Sequence, residues 1–113
     1  MRTAATFRLH GPPAEVTRRL GVRPSTATDS LWCLTSPPSD SELAVHLTRL
    51  LDVLEPHRAA LWELAEAGHP ADWFCLVASH ATEHAVELDR RLLGRLLTLP
   101  GELLLDVCGD ERD

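Results

Sequence analysis

The chain has 113 residues, 44% of them apolar, enough for one hydrophobic core and one domain over residues 1–113. It contains no Lys, Ile, Asn, Gln or Tyr, and all eleven cations are Arg, which excludes Schiff-base lysines, phosphate-loop lysines and phenolic acids. A net charge of −6 argues against nucleic acid and against anionic membrane surfaces as partners.

The run from Arg2 to His10 alternates, with Ala5, Phe7 and Leu9 on one side and Thr6, Arg8 and His10 on the other. That is a strand with one buried face. Gly11-Pro12-Pro13 turns into a short helix that buries Val16 and Leu20 and stops at Gly21. Arg23 to Asp29 reads as a polar loop, and Ser30 to Ser36 as a second strand. Pro37-Pro38 argues against its continuation, and Ser39 to Glu42 has the spacing of a capping box. The longest helical stripe follows, through Leu43, Leu47, Leu50, Leu51, Leu54, Leu61 and Leu64. Pro56 interrupts it, either as a kink or as the first position of a second helix, and Gly68 closes it. Ala71 to Ser79 is a continuous apolar run, as a central strand would be. His80 to Glu87 is a polar loop, and Leu88-Asp89 has the character of a staple and N-cap for a helix carrying Leu92, Leu93, Leu96 and Leu97. Pro100-Gly101 leads into a last strand, Glu102 to Cys108, and residues 109–113 form a charged, frayed tail.

The expected class is α+β with the order β-α-β-α(long)-β-α-β. Two βαβ halves around a long helix suggest a ferredoxin-like two-layer sandwich. A four-stranded sheet would carry its helices on one face and leave the other open.

Three cysteines (Cys33, Cys75, Cys108) form no closely spaced pair, and each sits in an apolar run, as a buried reduced thiol would. No signal-peptide core and no apolar run of membrane-spanning length is present, so a cytoplasmic protein is expected. Charge is uneven: residues 1–23 hold five Arg against Glu15, and the rest hold six Arg against sixteen acids. The absent residue types include several with AT-rich codons, which points to a GC-rich, actinobacterial genome.

The segments Phe7-Arg8-Leu9-His10-Gly11, Leu20-Gly21-Val22-Arg23-Pro24-Ser25, Trp32-Cys33-Leu34-Thr35-Ser36, Leu54-Glu55-Pro56 and Leu103-Leu104-Leu105-Asp106-Val107 follow in an order that resembles the bacterial family called domain of unknown function 4279. The resemblance runs from about Thr3 to Cys108. It implies a fold and no assigned activity. Small standalone domains of this type resemble immunity or accessory proteins of toxin systems.

Of the chemical motifs, His80-Ala81-Thr82-Glu83-His84 matches the inverted zinc-protease pattern, His80 and His84 as ligands and Glu83 as base. A third ligand on a distant helix is required, and the segment reads as a loop, so no metal is expected. Ser36, Ser79 and Cys75 have His80 and His10 as conceivable bases, but no nucleophile elbow and no phosphate loop is present. A small enzyme or small-molecule-binding protein of a biosynthetic cluster is the alternative. His46, His57 and His69 read as solvated positions, and Trp62 as helix–sheet core.

The favoured candidate is the open sheet face. There Arg8, His10 and Asp106 would point to solvent, Arg8 and Asp106 could pair, and Trp32 or Trp73 could stand nearby. The expectation is therefore a protein partner for a monomer or homodimer, with no cofactor and no chemistry.

Overall fold

The computed structural model describes residues 1–79 and 85–109. Strand β1 (Arg2–His10) buries Thr3, Ala5, Phe7 and Leu9 and turns Thr6, Arg8 and His10 outward, as the alternation predicts. Pro13 opens helix α1 (Pro13–Leu20), and Gly21, at φ 70°, ends it by donating its N–H to the Thr17 carbonyl. Strands β2 (Thr26–Ala27) and β3 (Leu31–Ser39) follow, then helix α2 (Leu43–Leu54). At Pro56 the stripe passes through a 3-10 turn (Glu55–His57) into helix α3 (Arg58–Glu66). Strand β4 (Ala71–Ser79), helix α4 (Arg90–Leu97) and strand β5 (Glu102–Gly109) complete the chain. Asp89 caps α4 as its sequence predicts, accepting the Leu92 N–H at 2.7 Å.

The sheet order is β2-β3-β1-β4-β5. The first three pairings are antiparallel, and β4 with β5 is parallel. The α+β class stands, and the described helices pack on one face of the sheet. The four-stranded ferredoxin-like arrangement does not: the sheet has five strands and is mixed. One cause lies in the segment read as a polar loop. Ser25 donates its N–H to the Cys33 carbonyl and Thr28 donates to that of Leu31, which folds Thr26–Ala27 against β3 as a short strand. The other cause is strand adjacency. Both β3 and β4 run antiparallel beside β1, so the α2–α3 connection crosses beneath β1 and β5 is added outside β4. Periodicity fixes which face a residue takes but not which strand lies next to it.

Strand β3 also extends through Pro37-Pro38, where a stop was expected. The two prolines are exposed, lie past the two residues paired with β2, and meet β1 where the register shifts between Thr3 and Ala5. A bulge with no outer neighbour needs no N–H there. The expected capping box is likewise absent. Glu42 is the N-cap of α2 and makes no side-chain cap bond, because the Ser39 hydroxyl instead accepts the Ser41 N–H at 3.1 Å.

The core is built around Phe7, which meets Trp32 edge-on at 6.5 Å and Trp73 at 4.8 Å between ring centroids. Leucines from α1, α2, α3 and α4 close over these rings. Burying a side chain of this size contributes about 1.5–3 kcal/mol, so this aromatic row ties the three central strands to the helical layer.

Candidate functional site: the open sheet face

Register places the outward residues in rows. Cys33, Arg8, Asp72 and Glu102 form one row across β3, β1, β4 and β5, and Thr35, Thr6, Phe74 and Leu104 form the next. Within the first row Arg8 donates from Nε to Asp72 Oδ1 at 2.6 Å, and its guanidinium lies 4.7 Å from the centre of the Phe74 ring. His10 Nε2 lies 3.1 Å from Asp72 Oδ2, so one carboxylate holds both side chains. The Asp72 side chain is only 14% exposed, against 28% for Arg8 and 46% for His10. A charge-assisted bond that is partly withdrawn from water is stronger than a surface ion pair. The result is a rigid cluster whose outer rim is His10.

Asp106 lies on this face but not beside Arg8. It pairs in register with Leu76, opposite Ala4, two rows along and two strands away from Arg8, with β4 between them. The counter-ion of Arg8 is Asp72, which the sequence reading overlooked inside an apolar run. One signal could have revealed it: Asp72, the only acid of β4, has the parity opposite to Trp73, Cys75 and Val77 and so shares the outward face with Arg8.

Trp32 and Trp73 stand on the opposite face. They pair with Leu9 and Phe7, which point to the helices, and both are buried. Their indole N–H groups are satisfied inside, Trp32 by Thr17 Oγ1 at 3.1 Å and Trp73 by the Pro100 carbonyl at 3.2 Å. Neither tryptophan belongs to the open surface. Trp62, read as core, is exposed on α3 and donates to the Thr98 carbonyl at 2.8 Å.

At the His10 end of the sheet the rim falls into a broad hollow of about 640 Å³ lined by His10, Pro70, Asp72, Pro100 and Glu102. Trp62 and Gly101 separate it from an apolar hollow of about 470 Å³ beneath β5, walled by Leu93, Leu96, Leu97 and Leu103.

The histidine expected in solvent at position 46 is instead buried. Its Nδ1 lies 2.6 Å from Ser36 Oγ and its Nε2 lies 3.0 Å from Ser39 Oγ. Desolvation, with Arg49 nearby, lowers its pKa. Ser36 is therefore part of a buried structural link between β3 and α2, in which both ring nitrogens of His46 face serine hydroxyls rather than a carboxylate. Cys75, another nucleophile candidate, is buried under the sheet with its thiol pushed up to about 12 by desolvation.

The three cysteines do not converge. Cys75 faces the helices, Cys33 is buried on the other face, and Cys108, expected to be buried, is exposed on the edge strand. Among the described residues no group of three His, Cys, Asp or Glu side chains is placed to hold a metal ion. The His80, Glu83 and His84 motif lies outside the described residues. No described helix is long and apolar enough to cross a membrane.

A five-stranded mixed sheet with helices on one face and a charged row on the other defines an α+β two-layer domain. The chain belongs to the family described as Domain of unknown function (DUF4279), whose model matches residues 1–109. No curated protein and no solved structure matches it.

Proposed function

We propose that this domain binds a protein partner through the open face of its sheet and performs no chemistry, as a cytoplasmic immunity or accessory protein of a toxin system would. The observation that supports this is the Arg8–Asp72–His10 cluster, held rigid by Phe74 and presented on a sheet face without a covering helix among the described residues. A preformed charged cluster loses little side-chain entropy on docking, which is what a recognition centre needs. Glu102 and Asp106 lie on the same face, so a basic partner surface fits it. The expected result is that a tagged chain captures the co-expressed product of an adjacent toxin gene and that Arg8→Ala with His10→Ala loses it while the circular dichroism spectrum is unchanged. Capture that persists in that variant removes the face from the reading.

A second reading rests on a different observation. The apolar hollow between α3, α4 and β5 has the volume of a small-ligand site and carries Trp62 at its mouth. A small apolar ligand there would change Trp62 fluorescence in a way that Leu96→Trp, which fills the hollow, abolishes.

A further inference from the structure

The two edges of the sheet are built differently. Strand β2 is two residues long, which blunts that edge. Strand β5 is eight residues long, has no strand on its outer side among the described residues, and is exposed along its whole length. Leu103, Leu105 and Val107 share the parity of Trp73, Cys75 and Val77, so they extend the helix-side apolar face beyond the helices that should cover it. Val107 is 68% exposed, and Leu97 on the neighbouring α4 is 81% exposed. The strand contains no Arg or Pro, and its two acids, Glu102 and Asp106, lie on the other face, so its helix-side stripe carries no charge to guard the edge.

We infer that β5 is the seam of a homodimer in which a second copy of this chain adds its own β5 antiparallel, about a two-fold axis through the Leu105 pair. The strand selects this register itself. To keep both helical layers on one side, a residue must meet one of its own parity. Shifting the centre by one residue towards Leu104 sets Glu102 opposite Asp106 of the second copy. Shifting it towards Asp106 sets the two Asp106 carboxylates opposite each other. Like charges directly opposed on neighbouring strands are destabilising.

Centred on Leu105, each Leu103 meets Val107 of the second copy, and Leu105 meets Leu105. The acids then face Leu104 and Cys108. The pairing engages the whole run from Glu102 to Cys108 and joins the two apolar stripes into one. It also brings Val107 of the second copy beside Leu103, at the open side of the hollow walled by Leu93 and Leu97. A two-fold interface must be self-complementary, and this strand is.

Sedimentation velocity on the full chain at tens of micromolar is expected to show a dimer, and Leu105→Glu a monomer whose far-ultraviolet circular dichroism is unchanged. Geometry is tested in a Cys108→Ser background. There Leu105→Cys links to itself under mild oxidation, because directly opposed strand residues lie within disulfide reach. Leu103→Cys alone does not link, and it does so only when mixed with Val107→Cys. A monomeric wild-type chain overturns the inference, as does a dimer that survives Leu105→Glu or one that links through Leu103→Cys alone. Neither measurement involves Arg8 or His10, so this seam and the proposed partner face fail independently.

Discussion

At the scale of single residues, two side chains carry consequences that can be measured. Asp72 neutralises Arg8 and anchors His10, so Asp72→Asn leaves a half-buried guanidinium without its counter-ion. A pair that water partly screens is worth about 1 kcal/mol, and the expected outcome is a loss of unfolding free energy of about that size, read as a lower urea midpoint, with a far larger loss of partner capture. His46 gives the second consequence. Its pKa is lowered in the fold, so the unfolded chain binds the proton more tightly and stability rises with pH. The contribution is fully present above the ordinary histidine value of 6.5 and is lost as pH falls through the lower native value. His46→Gln keeps a donor and an acceptor between Ser36 and Ser39 but does not titrate. Urea denaturation between pH 5 and pH 7 should therefore be markedly flatter for that variant, and an unchanged profile would move the dependence to another group.

Among the elements, α4 is tied to the helices beside it through Arg95. Arg95 donates from Nη2 to Asp52 at 2.8 Å and to Glu55 at 2.6 Å, joining α4 to the end of α2 and its 3-10 turn. These bonds push the Arg95 pKa up and hold the Glu55 carboxyl below its usual value of 4.5. The support is present above that value and disappears as pH falls through the lower native one. Arg95→Ala is expected to cost about 1 kcal/mol and to speed hydrogen exchange in α4 more than in β1. The turn before β5 is fixed by geometry instead. Gly101 has φ 117°, and an added Cβ would stand 3.1 Å from Trp73 Cδ1 and 3.2 Å from the Ala71 carbonyl. Gly101→Ala should cost about 1–3 kcal/mol, read as a fall in the urea midpoint. The elements themselves were largely legible from sequence, because Gly21, Pro56 and Asp89 act locally. The bulge at Pro37-Pro38 was not, since whether a proline is tolerated depends on which strand edge it occupies.

For the molecule as a whole, what remained hidden in the sequence was adjacency. Alternation correctly sent Arg8 and His10 to one face and Phe7 to the other, yet it could not say that β4 rather than β5 lies beside β1. That one fact replaces Asp106 with Asp72 as the partner of Arg8, and it turns β5 into an edge. The same order grades the three thiols. Cys108 lies on the exposed edge strand, Cys33 is buried on the uncovered face, and Cys75 lies under the central sheet against the helices. Native protein treated with a chromogenic disulfide should therefore release one equivalent quickly, and Cys108→Ser should remove that phase. Cys33 pairs in register with Thr26 of the two-residue edge strand β2, so local opening at that edge should suffice and its slower rate should depend weakly on urea. Reaching Cys75 requires the sheet and helices to part. Its labelling should follow global unfolding, with the full urea dependence of the equilibrium transition. A Cys75 that reacts at a rate insensitive to urea would mean that β4 separates from the helical layer without unfolding, and the sheet could not then be the rigid platform on which Arg8, Asp72 and His10 are held.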